Sequence, residues 1–580
     1  MIYAFPVEEI REAEYAAVQV APTDALMRRA AFAVAEEAVE MLHPEASHPL
    51  GQRPPDTPST GDPAGIDHLR RRLAELPTKP VAQFSKPKIF ALAGGGDNGG
   101  DALYAAGYLA EAGLQVTTLK CARKTHERAL EYAKNAGVSI IELPSGKKSL
   151  SRLVTNHVAS AAVILDGLVG SGTKGELREP AAQVVRAVMR TVNAVRGDVQ
   201  DGPRIVAIDN PSGVWAQDGS VSGEHLRANA TVTMGAVKPA ALLAPAAHEH
   251  GRVRLLNLGL DLHRDNAQVL RLEPADVARA WPAPGVTDHK YTRGVALVLA
   301  ASNTYPTTGV MSVSGAVRAG AGMVRFSGPE DAALAVLLAR PEVVTAPGRY
   351  QALLVGSGID AADEKRAGEV LAAVSEARAA GLPIVLDAGA LDLVPRMGAL
   401  GAETVITPHA GEAARLLTNL GYGAKRGGLS RAEVGAQPLK YALELAERLG
   451  VNVVLKGAVT TVCSASGTVF TDAQAPHVAG TAGSGDILAG IIVAGLAGLR
   501  ARAEHDGRNL GDYEVAFTAA AGVWIHGTAA ALAQQRYLPD TDASVCRRYL
   551  PGTGGALNVW APIVASDIAA EIPAAIAVAR

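Results

Sequence analysis

Short apolar strands that end in glycine, aspartate or lysine, each followed by a helical stretch, recur along the chain, and nothing else in it narrows the possible folds as much. KIFALA (88–93) runs into GGGDNGG, and QVTTL (115–119), AAVILD (161–166) and RIVAID (204–209) follow, with helical stretches between them. A second series starts after about residue 270, with VALVLAA (295–301), ALLVGS (352–357), PIVLDA (383–388), ETVITP (403–408) and NVVLKG (452–457). Such alternation predicts mostly parallel sheets with helices on both faces. A length of 580 residues is too much for one ordinary domain. The sequence therefore predicts an α/β protein of two three-layer α/β/α domains, residues 1–265 and 275–580, with WPAPGVTDHK (281–290) as a linker. Residues 7 to 42 read as helix, and the Pro-, Gly-, Ser- and His-rich stretch 43–65 reads as an irregular insertion.

Composition removes several classes. Net charge is -3, and no Lys/Arg-rich stripe is present, so nucleic acid is not an expected partner. Cys121, Cys463 and Cys546 are odd in number and far apart, which supplies neither a disulfide framework nor a CxxC metal site and suits a reducing compartment. The N-terminus has no apolar core of a signal peptide, and a cytoplasmic location is expected. The apolar run Ile487 to Leu499 falls short of the ~20 residues a membrane helix needs and reads as a buried core helix, so no membrane partner is expected.

Gly94-Gly95-Gly96-Asp97-Asn98-Gly99 fits GxGxxG between a strand and a helix, a loop that offers backbone N–H groups to an anion. An ordinary NAD site also wants an acid at the end of the next strand, but here that strand runs into Lys120, Cys121 and Ala122, against a hydride-transferring dehydrogenase. Other strand ends are richer. Asp166 precedes Gly167-Leu168-Val169-Gly170-Ser171-Gly172-Thr173, and Asp209 precedes Asn210-Pro211-Ser212-Gly213. Ligands of open α/β sheets sit beyond the carboxyl ends of the strands, so Asn98, Asp166, Asp209 and Ser212 converge there, and their oxygens suit a hard cation. In the second half, Gly480-Thr481-Ala482-Gly483-Ser484-Gly485-Asp486 opens an apolar helix. Free N–H groups beside an acid suit attack of a hydroxyl on phosphorus. Lys456 to Thr460 and His409 lie at other strand ends, and no GxxxxGK[ST] is present.

GGGDNGGD, LDGLVGSGTKGELREP, IDNPSGV and TVTMGAVKPA, in that order, resemble the NAD(P)H-hydrate epimerase domain, a Rossmann-like fold, over roughly residues 1–260. The resemblance implies that Asp97, Asn98, Gly99, Gly100 and Asp101 hold the hydrated nucleotide. It likewise implies that Gly170, Ser171, Gly172, Thr173, Lys174, Gly175 and Glu176 hold its phosphates, and that Asn98, Asp166 and Ser212 bind potassium. Asp209 would touch the reacting ring and transfer the proton. The family usually has two asparagines where this chain has Asp97-Asn98.

HKYTRGVALVLAAS, VRAGAGMV, LLVGSGI, VLDAGAL, ITPHAGEAARLL, VVLKGAVTTV and GTAGSGDILAGI are similar to the ribokinase-like NAD(P)H-hydrate dehydratase over about residues 275–580. That similarity implies ADP, with magnesium, at Lys456, Gly457, Ala458, Val459, Thr460 and Gly485. It places the hydrated nicotinamide near Gly358, His409 and Asp486, with Asp486 as the catalytic base. Departures are Ser357, Gly389 and Thr308-Gly309-Val310, where the family often has Pro, Asp and Gly-Ala-Ala. Together the two halves imply repair of hydrated NADH and NADPH: epimerisation of R and S forms, then ADP-dependent dehydration of the S form, releasing AMP and phosphate, in a homo-oligomer. The competing expectation is a ribokinase-like small-molecule kinase fused to a nucleotide-binding module.

Overall fold

The computed structural model describes residues 1–42, 63–75, 87–172, 175–198, 202–423, 427–537 and 561–580. The described residues divide into two compact units, Tyr3–Gln268 and a second formed by Met1–Ile2 with residues 269–537 and 561–580.

The first unit is built on a seven-stranded sheet in the order Ser139–Glu142, Gln115–Lys120, Lys88–Ala93, Val163–Gly167, Arg204–Ile208, Ala230–Met234, Arg252–Leu256. Every neighbouring pair is parallel. The strands' carboxyl ends therefore share one edge, where their loops carry Gly94, Asp166, Asp209 and Gly235. Helices Ala25–Leu42 and Asp97–Glu111 supply one hydrophobic layer, with Phe32, Tyr104 and Tyr108 fully buried between them and the sheet. Helices Lys147–Ser160 and Ala181–Asp198 cover the other face.

The stretch expected as one helix over 7–42 is two, Val7–Val20 and Ala25–Leu42. Pro22 lies in the break, and Asp24 adopts a left-handed φ of 61°. Residues 43–62 of the expected insertion lie outside the described residues, and Pro63 to Gly65 are instead the first turn of the helix Pro63–Ala74. The helix expected from Asp101 starts at Asp97, immediately after the glycines.

In the second unit the strand order is Val269–Arg271, Val469–Asp472, Thr460–Cys463, Asn452–Leu455, Thr404–Ile406, Ile384–Leu386, Ala352–Val355, Val295–Leu299, Met323–Ser327. It is parallel from Met323–Ser327 to Asn452–Leu455 and then turns antiparallel through the hairpin made by Thr460–Cys463 and Val469–Asp472. The helices Ser484–His505 and Asp512–Gln535 are long and apolar enough to cross a membrane, but their apolar windows are 78% and 83% buried inside the protein. That matches the expectation of a core helix for Ile487 to Leu499.

The expected linker at 281–290 is not one. The Trp281 indole N–H donates to the Ala319 carbonyl at 2.9 Å. Its ring packs where a Cβ on Gly495 would stand, 2.2 Å away. A large ring and a satisfied donor tie this segment to the second unit, and the division falls earlier, between Gln268 and Val269. The first two residues also count with the second unit, because the N-terminal ammonium pairs with Glu273 and, at 2.7 Å, with Asp276.

Helix Ser484–His505, whose first turn carries Asp486, is held by a glycine-mediated crossing with Thr308–Arg318. A Cβ on Gly490 would lie 2.1 Å from the Ser312 carbonyl oxygen, and one on Gly315 2.3 Å from that of Ile487. Backbone meets backbone on both sides, so neither helix can yield without moving whole. We expect Gly490→Ala to destabilise the second unit by about 1–3 kcal/mol through overpacking, read as a lowered midpoint of its thermal unfolding transition.

Candidate active sites

In the first unit the glycine loop is shaped by clearance. A Cβ on Gly94 would sit 1.9 Å from the Leu168 carbonyl oxygen, and one on Gly99 2.1 Å from that of Gly94, whereas Gly96 faces nothing within 4 Å. Gly94 and Gly99 let the strand end, the helix start and the neighbouring Asp166 loop close on one another. This brings Asn98 beneath Gly170, whose Cβ would lie 2.4 Å from the Asn98 Oδ1, while Asn98 Nδ2 donates to the Ile208 carbonyl at 2.6 Å.

Asp166 is fully buried and accepts from the Ser212 amide at 2.8 Å and the Ser212 hydroxyl at 2.6 Å. Burial pushes its carboxyl up to about 6 even though Ser212 and the Leu168 amide oppose the shift. Ser212 Oγ also lies 3.2 Å from the Val169 carbonyl oxygen. Asn98, Asp166 and Ser212, expected together as cation ligands, thus lie on adjoining loops, with Ser212 bonded to the buried Asp166 carboxyl and Asn98 against Gly170 and Ile208. The side-chain oxygens of these three residues are of the kind that suits a hard cation.

Asp209 adopts a left-handed φ of 66°, a conformation that aspartate tolerates better than most residues. Its carboxylate is ion-paired with Lys238, which is 1% exposed, and accepts from the Met234 amide at 3.2 Å. The Lys238 ammonium is held in turn by the Met234 carbonyl at 2.7 Å. Burial alone would push the Asp209 carboxyl up, but Lys238, the Met234 amide and the Ser171 hydroxyl outweigh it and hold it below the usual range. Ser171, of the loop expected to hold the substrate's phosphates, thus reaches Asp209. Thr173 and Lys174 of that loop lie outside the described residues.

Asp97 and Asp101 part company. Asp97 is exposed at the first position of its helix, where a negative charge is favoured by the helix dipole. Asp101 is 7% exposed, with an Oδ1 that has no hydrogen-bond partner among the described residues. Burial, reinforced by Asp209, Asp97 and Glu14, pushes its carboxyl well up.

In the second unit, Gly483 takes a left-handed φ of 85° and caps the helix that opens with Ser484, Gly485 and Asp486. Lys456, at the end of Asn452–Leu455, places its ammonium 2.7 Å from Asp387 Oδ1 and 3.9 Å from Glu412 Oε2. A Cβ on Gly485 would lie 3.3 Å from that ammonium nitrogen, so the lysine reaches the anion-facing turn. Burial pulls the ammonium down, but Asp387, Glu412 and Asp486 outweigh it and its pKa is raised. Asp387 is 2% exposed and also accepts from the Thr407 hydroxyl at 2.6 Å. Burial, and then Asp387, push the Asp486 carboxyl up to about 6, while the Ser357 hydroxyl and Lys456 restrain it. A carboxyl there exchanges protons near neutral pH, as acid–base work requires.

His409 caps the helix Ala410–Asn419. Its Nδ1 accepts from the Gly411 and Glu412 amides at 2.9 and 3.2 Å, while the Glu412 carboxylate accepts from the His409 amide at 2.8 Å. Half of its side chain stays exposed, and its Nε2 lies 3.6 Å from Glu412 Oε1. Gly358, at φ 77°, fits a gap in which a Cβ would meet the Thr308 hydroxyl at 2.4 Å. Gly457 to Thr460 form the turn of the hairpin beyond Lys456, with Thr460 Oγ1 donating to the Gly457 carbonyl at 3.2 Å.

Two departures have steric reasons. A Cβ on Gly389 would lie 1.9 Å from the Ile359 carbonyl oxygen, and one on Gly309 2.5 Å from the Phe326 ring. Residues unassigned from sequence include Lys238, Asp387 and Glu412. Asp387 directly follows an apolar strand, whereas Lys238 caps a short turn and Glu412 lies in the first turn of a helix, and what marks all three is burial beside a charged partner.

Each unit thus presents an α/β sheet whose carboxyl edge gathers a lysine–aspartate pair, glycine-opened backbone and a further acid, the furniture of nucleotide chemistry. The family model described as NAD(P)H-hydrate dehydratase matches residues 296–551, and that described as the YjeF-related protein N-terminus matches residues 23–240. Over 509 residues the chain is 36% identical to the bifunctional NAD(P)H-hydrate repair enzyme Nnr of Mycobacterium tuberculosis, covering 86% of this chain and 89% of that one. The Escherichia coli enzyme of the same name is 30% identical over 461 residues, covering 77% and 81%. An ADP/ATP-dependent NAD(P)H-hydrate dehydratase from Bacillus subtilis aligns with 22% identity and a TM-score of 0.37, covering 52% of this chain and 96% of that one. The chain belongs to the family of bifunctional NAD(P)H-hydrate repair enzymes.

The charge arrangement of the second site is open to direct measurement. In Lys456→Met the Asp486 carboxyl should titrate above its value of about 6, since its nearest cation is lost, as read by carboxyl NMR. Leaving Asp387 buried without its partner should cost about 3–5 kcal/mol of stability.

Proposed function

We propose that this chain restores hydrated NADH and NADPH. Its first unit interconverts the R and S hydrates, and its second dehydrates the S form at the expense of ADP, yielding AMP and phosphate. One observation carries the reading: Asp486 stands at a glycine-opened helix start beside the Lys456–Asp387 pair, with a carboxyl poised near 6.

The hydrate has lost its reducing double bond to a hydroxyl on C6 of the ring. Asp486 takes the proton of that hydroxyl, and the oxygen attacks the terminal phosphorus of ADP. The bond from phosphorus to the bridging oxygen breaks, and AMP leaves with that electron pair. Amides of Gly483 to Gly485 face the developing charge, and Lys456 neutralises the transferring phosphoryl group. Loss of a C5 proton, with the ring nitrogen's lone pair helping to expel the phosphorylated oxygen, restores the double bond and releases phosphate. His409 and Gly358 line the ring's side, and Gly457, Ala458, Val459 and Thr460 the nucleotide's. Magnesium would arrive with ADP, whose phosphates hold it. Among the described residues there is no group of three His, Cys, Asp or Glu side chains able to hold a metal alone.

In the first unit, Asn98, Asp166 and Ser212 would hold potassium, which supplies fixed positive charge near the substrate's phosphates. Gly99, Gly100 and Asp101, with the loop from Gly170 through Gly175 and Glu176, would hold the nucleotide. Asp209, kept ionised by Lys238, faces the reacting ring and stabilises positive charge on it.

Absorbance recovery at the reduced-nicotinamide band, with mixed hydrate epimers, magnesium and ADP, tests the whole reading. Complete recovery supports both activities. A fast phase that slows to the spontaneous epimerisation rate removes the first, and a stable phosphorylated product without recovery replaces the reading with a kinase. Asp486→Asn should lower dehydration by about 10²–10⁴-fold while ADP still binds. Asp209→Ala should stop epimerisation and leave dehydration of the pure S hydrate unchanged.

A further inference from the structure

The helix Val7–Val20 precedes the residues matched by the epimerase-like family model, which begin at residue 23. Its placement is fixed. Ile10 is 1% exposed and packs with Phe5 and Ala236, and the Val7 amide donates to the Gln217 side chain at 2.9 Å. Arg11 and Glu14 are three residues apart and share one face. Arg11 lies against the phosphate loop, where a Cβ on Gly172 would come within 1.8 Å of its Nη2. Glu14 lies at the other end of the site, with its Oε1 3.5 Å from the Cβ position of Gly235. Gly235 directly follows Met234, whose amide and carbonyl hold Asp209 and Lys238. One helix face therefore spans from the expected phosphate loop to the charged pair at the reacting ring.

Among the described residues no hydrogen bond or ion pair ties up the Glu14 carboxyl. Burial pushes it up to about 7, with Asp209 and Asp97 adding to the rise and Lys238 and Arg11 opposing it. Asp101, from the helix Asp97–Glu111, is the remaining acid in this field. Asp209 is the worse proton donor of the pair, since Lys238 keeps it ionised.

We propose that Glu14 is the proton carrier of epimerisation, acting on the C6 hydroxyl of the bound hydrate while Asp209 stabilises the charged ring. This rests on the reading of the first unit as an epimerase. In the step itself, Glu14 gives its proton to the C6 hydroxyl, the C6–O bond breaks, and water leaves as the ring nitrogen's lone pair forms the C6–N double bond. Water then adds to the other face of C6 and gives its proton to solvent, from which the Glu14 carboxylate is reprotonated. No oxidant or co-reactant is consumed, and the hydrate re-forms with C6 inverted.

The test follows conversion of purified R hydrate of NADPH to the S form by the full chain across pH, with the enzyme-free rate subtracted. Because the carrier must start protonated, wild-type kcat/KM should fall about tenfold per pH unit above about 7. Glu14→Gln should lower kcat at least about 100-fold, abolish that limb and leave KM within about twofold. Glu14→Asp should restore part of the rate together with the limb. Dehydration of pure S hydrate and the thermal midpoint, measured on the same preparations, should not move. A Glu14→Gln enzyme that keeps its kcat and its alkaline limb, or that changes only KM, overturns the assignment while leaving the epimerase reading intact. A wild type that does not convert R to S at all overturns the epimerase reading and the Glu14 assignment with it.

Discussion

In each unit a lysine ammonium is buried against an aspartate at the carboxyl edge of the sheet, and the surrounding charges arrange themselves around that pair. Lys238 with Asp209 and Lys456 with Asp387 are costly to desolvate and are retained only because backbone carbonyls, amides and hydroxyls complete their shells. Each pair then sorts the neighbouring acids. In the first unit Asp209 is held ionised while Asp101 and Glu14 are pushed up. In the second, Asp387 occupies the lysine and its negative charge helps to push up Asp486. One fixed anion and one labile proton side by side is the condition for acid–base chemistry at neutral pH.

The scaffold that holds these pairs is largely a matter of missing side chains. Gly94 and Gly99 weld the first loop to its neighbour, and Gly315 and Gly490 weld two helices in the second unit. With few aromatics in the chain, close backbone approach replaces bulky interdigitation, and the sites inherit its rigidity. Where a large ring is used, as at Trp281 against Gly495, a glycine again makes room.

Much of this was legible in the sequence. All nine strands read from apolar runs occur, because a fully buried parallel strand leaves a short continuous apolar signature. Strands with mixed patterns, such as Arg252–Leu256 and the hairpin Thr460–Cys463 and Val469–Asp472, were not legible, since edge or antiparallel position lets polar residues in. The break at Pro22 and the anchoring of Trp281 needed tertiary contacts to declare themselves. Among the candidate site residues, those inside glycine-rich motifs stood out by their place at strand ends and helix starts. Lys238 and Asp387 did not, because what marks them is burial beside a partner 29 and 69 residues away. Glu14 was hidden for another reason: it sits on an ordinary amphipathic helix, and only the helix's docking turns it toward the site.

The cap formed by His409 has a consequence for what the second site can read. Two backbone amides donate to its Nδ1, so the hydrogen of the neutral ring resides on Nε2. That N–H has the Glu412 carboxylate beside it, with Oε1 3.6 Å from Nε2. One acidic side chain therefore receives at both ends of the cap, from the backbone amide of His409 and beside its ring. The helix start thus fixes the ring's tautomer, and with it the polarity the ring can show to any neighbour.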